Sequence, residues 1–502
     1  MSIVKSLLLG SAAGLVAVAS AQAADLPAKA KAVDYVKVCD AYGAGFYYIP
    51  GADICLKVGG YLRVDYYSNY ADGATAPIWL SGSSSHNNIR QGGNASYDRE
   101  DDLFSIRARA AVDLDARTRT EYGTLRSYGR FYVTNDATGN GSNPNGSAGV
   151  LGASMDRAFI QFAGFTFGYV QSFFDYSTGL GTFATANVGS NKINNLFAYT
   201  ASLGNGLSAT ISVEDSFNRR NQIQASAGTV TTWVDPVFDQ FSYTDGFQAQ
   251  GGMAMPEIVA NLRIDQSWGS AQLSGAIHQL RADTDWSAIQ PDGFSANDTD
   301  YGFAIGAGVT FNLDMLAKGD QFMLQGSYAD GAIEYTGVSG KNQNSGVSGL
   351  GIIRGTQGAI VDLADAFIDP VTGSLSTVEA WTIRADFRHF WTPTLRSTLF
   401  GGYTSVDVPY IDGITAGTIG TNAANQTVRD FNLWQIGFNT TWSPVKNLDI
   451  GLEMLYTKID TGGYKNYVAA DFAGDQAAAD YANSYTHDDD IFSGMVRVQR
   501  NF

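Results

Sequence analysis

Six arginines in the first third of the chain sit at positions that alternate with apolar residues: Arg63, Arg107, Arg109, Arg126, Arg130 and Arg157. Leu62, Val64 and Tyr66 interleave with Arg63, and Ile106, Ala108, Ala110 and Val112 with Arg107 and Arg109. Leu125, Gly129, Phe131 and Val133 do the same around Arg126 and Arg130. A guanidinium is a permanent, planar cation, so a row of them offers neither a nucleophile nor a base at neutral pH. It can hold or orient anions and dipoles. Asp113 shares the face, and Asp175 is the acid nearest to this cluster further along the chain. One reading is a basic wall that orients charged or dipolar solutes; the other is a solvated interior in which any polar residue is tolerated. Clustering on adjacent segments favours the first for Arg107, Arg109, Arg126 and Arg130. For Arg263, Arg384, Arg388 and Arg396, with Asp386 and Glu453 among the acids, the second is the better reading.

Other constellations carry less. The four histidines, His86, His278, His389 and His487, form no H-E-x-x-H pair, and neither a G-x-S-x-G turn nor a phosphate-binding loop occurs. No catalytic residue, metal site or cofactor is expected. Acidic runs at residues 98–102 and 487–490 could bind calcium or bridge lipid phosphates, yet they lack the spacing of a calcium loop and read as solvated loop ends. Cys39 and Cys55 are the only cysteines. In an exported chain an even pair reads as one disulfide, with two unpaired thiols as the alternative.

A period of two runs through the whole chain and specifies strands with two unlike faces. Residues 59–68, 104–116 and 122–133 open the series. Residues 156–162 and 165–170 flank Ala163 and Gly164, and 196–202 and 207–214 flank the hairpin signal Gly204, Asn205, Gly206. Segments 256–268, 271–281, 301–313, 321–329, 378–391, 395–405, 430–442 and 448–458 follow, and a closing strand reaches Phe502. Connections after the even strands are short and those after the odd ones are long. Sixteen such strands, greasy on one face and polar on the other, describe an all-β, antiparallel barrel that crosses a bilayer, with short periplasmic turns and long outer loops. On the lipid face each arginine would cost roughly 2–4 kcal/mol near the midplane, so the alternation places all of them inward. Trp268, Trp391, Trp434 and Trp442, near strand ends, read as interface belts. An array of soluble β-sandwiches is the structural rival.

Residues 1–23 hold Lys5, a short apolar stretch and Ala21-Gln22-Ala23, which reads as a secretory signal peptide. Beyond it no apolar window of a spanning helix occurs. Residues 24–57 are expected as a periplasmic-side segment and 58–502 as the barrel. The formal net charge of −17 argues against nucleic acid as a partner, because phosphate binding needs a basic face.

Three runs are longer than any of these signals: V-C-D-A-Y-G-A-G-F-Y-Y-I-P-G at residues 38–51, D-A-R-T-R-T-E-Y-G-T-L-R at 115–126, and R-A-F-I-Q-F-A-G-F-T-F-G-Y-V-Q-S-F-F-D at 157–175. Together with the terminal R-V-Q-R-N-F they resemble the porin family of alphaproteobacterial outer membranes, the rhizobial type. The resemblance implies a homotrimer in the outer membrane, in contact with lipid and lipopolysaccharide. It also implies a third outer loop, residues 171–192, folded into the lumen as a constriction. The function implied is passive diffusion of small hydrophilic solutes rather than catalysis. A channel selective for anions or sugars, and a barrel with adhesive or hydrolytic loops, are the alternatives. Many general porins set loop acids against the arginines; here the loop offers only Asp175, which argues against a strong transverse field.

Overall fold

The structure is a computed structural model. It describes residues 38–49, 51–70, 104–136, 150–183, 188–225, 247–248, 251–252, 254–282, 299–338, 352–354, 360–362, 364–368, 374–409, 430–460 and 489–502. The signal-peptide segment 1–23, residues 24–37, the acidic run 98–102, His86, and residues 487–488 of the second acidic run lie outside the described residues.

The barrel strands are numbered here in chain order. They are β1 (Cys55–Tyr70), β2 (Phe104–Thr120), β3 (Gly123–Asp136), β4 (Val150–Phe162), β5 (Phe165–Gln171), β6 (Ile193–Gly204), β7 (Leu207–Glu214) and β8 (Glu257–Gln266). The second half consists of β9 (Gly269–Arg281), β10 (Thr299–Asn312), β11 (Gln321–Asp330), β12 (Glu379–Thr392), β13 (Leu395–Asp407), β14 (Phe431–Val445), β15 (Leu448–Asp460) and β16 (Asp489–Asn501). Each pairs with the next, and β16 returns to pair antiparallel with β1, so the sheet has no open edge. Phe502 completes the seam by exchanging backbone hydrogen bonds with Gly60, N–H to carbonyl in both directions at 3.2 and 3.1 Å. Among the described residues no helix is long and apolar enough to cross a membrane.

All sixteen strands of the sequence reading are present, and the seven connections after the even strands are short. The turn at Asn205 and Gly206 has φ of 49° and 75°, the pair of left-handed residues that a two-residue hairpin needs. Several boundaries differ by a few residues, such as β1 starting at Cys55 rather than 59 and β14 reaching Val445 rather than 442, and two differences have a clear local cause. β2 does not stop at residue 116 but continues to Thr120, because Arg117 and Arg119 pair with Arg126 and Thr124 and keep the ladder going. β4 begins at Val150 rather than 156. A bulge opposite Arg130 and Phe131 breaks the alternation at Asp156 and hides the strand upstream of it.

The alternation sorts the two faces as expected. Leu62, Val64, Ile106, Val112, Leu114, Phe131 and Ile160 are exposed on the outside, and Trp268, Trp391 and Trp442 are exposed near strand ends. The described part of the N-terminal unit, up to Lys57, is organised around the Cys39–Cys55 disulfide. Phe46 packs on the buried sulfurs, and the two-residue strand Tyr47–Tyr48 pairs with Leu56 and Cys55.

Candidate functional site

The strand order brings the predicted arginines onto one interior wall, formed by β1 to β4 with β16 beside it. Asp65 is its hub. It accepts from Arg107 Nη2 at 3.0 Å and from Arg497 Nε at 2.6 Å, and Arg63 Nε lies 3.0 Å away. Three guanidinium groups therefore share one carboxylate. In the next rows Arg130 makes a two-bond fork to Asp113 at 2.6 and 2.7 Å. Arg117 and Arg126 both fork onto Asp115, and Arg126 reaches Gln161 at 3.1 Å. Arg157 stands 3.7 Å from Asp156. Among the described residues Arg109 has no carboxylate partner: its Nε donates to Thr134 Oγ1 at 2.9 Å, and its guanidinium lies 4.0 Å from the centre of the Tyr132 ring. Counted over these groups, eight arginines surround four aspartates. A chain of net charge −17 thus presents a cationic surface on this wall.

Of residues 171–192, the described stretches 171–183 and 188–192 run along the opposite side. The loop leaves β5 and crosses the inner faces of the later strands in order. Asn261 on β8 donates to the Phe173 carbonyl at 2.6 Å and Ser274 on β9 to the Phe174 carbonyl at 2.8 Å. Tyr176 Oη meets Thr310 on β10 at 2.6 Å. The Leu180 N–H donates to Asp386 on β12 at 2.9 Å, and Thr398 on β13 donates to the Leu180 carbonyl at 3.1 Å. Asn439 on β14 donates to the Gly181 carbonyl at 3.0 Å, and the Phe183 N–H to Glu453 on β15 at 2.6 Å. Phe183 finally places its ring 5.0 Å from the Arg497 guanidinium. Loop backbone that has no ladder partner is thus satisfied by side chains of the wall.

The same wall is cut to receive the loop's rings. A Cβ on Gly306 would meet Phe174, one on Gly308 would meet Tyr176, and one on Gly451 would meet Phe183. The row of small residues along β10 is therefore a seat for the loop.

Asp175 is a correction. It was expected to stand on the constriction as an acid facing the arginines. Its side chain is 1% exposed and bonded to Arg219 Nη2 at 2.8 Å, to the Lys192 N–H at 2.6 Å, and to Ser190. The physical reason is desolvation: a carboxylate turned into packed protein must be paired, and Arg219, fully buried itself, supplies the pair. Burial opposes the Arg219 charge, yet Asp175 and Tyr335 hold its pKa above the ordinary value. The loop then has no unpaired charge among the described residues, because Lys192 is also paired, with buried Glu334.

Sequence reasoning missed the second support of the loop. The one-turn helix Ile333–Thr336, between β11 and β12, is wholly buried, and the Thr336 carbonyl accepts from the Gly189 N–H at 3.0 Å. Arg219 lies 4.3 Å over the Tyr335 ring, and Tyr335 Oη donates to Glu257 at 2.8 Å. Glu257 meets His278 Nδ1 at 2.7 Å. Asp365, in the short strand Ala364–Ile368, accepts from the Ile333 and Asn221 N–H groups, and burial pushes its pKa up to about 6. Arg219, Glu334 and Asp365 fall in segments without periodicity, so no alternation marks them. Arg63, Arg107, Arg109, Arg126, Arg130, Arg157 and Asp113 do share the interior face, whereas Arg384 is buried beneath the loop, forked to Asp386. Among the described residues no group of metal-ligating side chains forms a site.

Comparison with known proteins agrees with the fold. A family model described as porin subfamily matches residues 24–495. Porin Omp2b of Brucella melitensis is 33% identical over 295 residues, which cover 57% of this chain and 68% of the relative. Porin Omp2b of Brucella abortus matches to the same extent. The outer membrane channel DcaP of Acinetobacter baumannii superposes with a TM-score of 0.55 at 17% identity, over 91% of this chain and 99% of that one, a likeness of fold.

Proposed function

Because the chain belongs to the porin subfamily, and is accordingly an outer-membrane channel, we propose that its solute passage is set between the arginine wall of β1 to β4 and the uncharged face of the loop at 171–192. One observation carries this reading: among the described residues the loop bonds to the inner faces from β8 to β15, and its ring contact with the cationic wall is that of Phe183 with Arg497 at the β16 edge. Small hydrophilic solutes pass by diffusion. Anions are favoured, because a low-dielectric wall bearing an excess of guanidinium groups concentrates them and repels cations. Arg63, Arg107 and Arg497 hold the wall's shape around Asp65. Arg109, Arg126, Arg130 and Arg157 present charge to the passing solute.

The functional unit is proposed as a homotrimer. The exposed tryptophans lie on β12, on β14 and in the turn after β8, whereas β2 to β4 carry small and aliphatic outer residues such as Ala110, Val112 and Leu114. A face without belt tryptophans fits burial against another copy better than it fits the bilayer interface.

Arg109→Glu tests the charge reading most directly, since the arginine has no carboxylate to leave stranded. In planar bilayers under a KCl gradient, the wild-type protein is expected to show an anion-directed reversal potential, and the variant one moved toward potassium. An unchanged reversal potential would remove this wall from selectivity. Arg107→Glu is the weaker test, because that side chain is 3% exposed and its reversal would set a carboxylate against buried Asp65.

A further inference from the structure

The inner face of β3 reads Arg126, Tyr128, Arg130, Tyr132, so a guanidinium and a phenol ring alternate at every second residue, about 6.8 Å apart along the strand. Neighbouring strands widen the pattern. Phe159 lies 5.2 Å from the Tyr128 ring, and Arg126 lies 5.2 and 5.3 Å from those two rings. Arg63 is 5.4 Å from Tyr61. The rings are half-buried, and each therefore keeps an edge or part of a face toward the interior.

Chloride needs the charges and has no use for the rings. The opposite wall meets its loop with Asn, Ser, Thr and Gln and with the carboxylates Asp386 and Glu453, none of them a guanidinium beside a ring. We propose that the strip along β2 to β4 is a binding track for aromatic carboxylates, which engage a guanidinium through the carboxylate and a neighbouring ring through the aryl group. The proposal rests on the diffusion reading above and names the solute class it favours. Arg109 is the entry point: its Nε is engaged with Thr134, and among the described residues its two Nη groups have no carboxylate partner, so they can meet an incoming carboxylate. Its guanidinium already lies 4.0 Å from the centre of the Tyr132 ring, so an arriving aryl ring finds a cation and a phenol together. One step along the strand, Arg130 is held by Asp113 and keeps its place beside Tyr128. A solute would pass down the track by exchanging one guanidinium and ring for the next.

The test compares two carboxylates of equal charge and carbon number, benzoate and cyclohexanecarboxylate, as blockers of chloride current through the purified full chain in planar bilayers. Benzoate is expected to block at concentrations about fivefold lower, the size of one aromatic pair. In the double variant Tyr128→Leu, Tyr132→Leu the two carboxylates are expected to become equivalent. Equal block in the wild-type protein overturns the proposal without any variant, and a benzoate preference that survives in the double variant overturns the assignment to these rings. A chain that carries no KCl current at all would instead remove the diffusion reading beneath it.

Discussion

The wall from β1 to β4 and the wall from β8 to β15 satisfy their charges in opposite ways. On the first, carboxylates are outnumbered and, away from the buried hub at Asp65, stay partly exposed: Asp113 and Arg130 keep 21% and 29% of their side-chain surface. On the second, the charges that hold the loop are matched and sealed, while Arg263–Asp265 and Arg396–Asp449, near the strand ends, stay partly exposed. Asp175 and Arg219 keep 1% and 0%, and Arg384 with Asp386 keeps 2% and 0%. The first pattern suits a surface whose charge must be felt by solutes. The second suits a surface that must hold a loop still, because a buried pair broken on one side leaves an ion with no solvent. The comparison teaches that the same residue types are used for field on one wall and for fixation on the other.

The largest effect is expected where fixation is broken. Asp175→Asn leaves Arg219 buried without its carboxylate, at a cost of about 3–5 kcal/mol. Because the sheet closes without this contact, the loop should loosen while the barrel persists. The expected readouts are higher, flickering single-channel conductance, and faster proteolysis within 171–192. A quiet channel of wild-type conductance would show that the hydrogen bonds to β8–β15 suffice by themselves.

A smaller effect is expected from filling a seat. Gly308→Val places a branched side chain against the Tyr176 ring, and overpacking of this kind costs about 1–3 kcal/mol. The ring should leave Thr310, moving the loop into the passage and lowering conductance. Wild-type conductance would mean that the loop yields elsewhere.

These two cases mark what the sequence discloses. The strands and the interior arginines were legible because a period of two on a two-faced sheet is a strong, local signal; Phe104 to Leu114 shows it without a break. The loop's place inside was legible only through resemblance, since residues 171–192 have no periodicity. Gly306, Gly308 and Gly451 could be read as small interior residues, but not as seats for particular rings. The pairing of Asp175 with Arg219, forty-four residues away, was invisible. It depends on how an outer loop packs against an inner one, and neither segment repeats. Asp175 consequently looked like a pore charge when it is a fastening.

The finest test of the comparison applies to the first wall the substitution that is severe on the second. Asp113→Asn removes the carboxylate beneath Arg130, as Asp175→Asn does beneath Arg219, but here both partners touch water. The guanidinium can rehydrate, so the pair is worth no more than about 1 kcal/mol, and thermal unfolding of the variant in detergent should match the wild type. The charge balance of the wall nonetheless rises by one. The reversal potential should move further toward chloride, opposite in sign to the shift expected for Arg109→Glu. It should shrink as salt is raised, because exposed charges are screened over about 10 Å at 0.1 M ionic strength. A large loss of stability would mean that Asp113 fastens its wall as Asp175 fastens the loop, and the contrast between the two walls would fail at this residue.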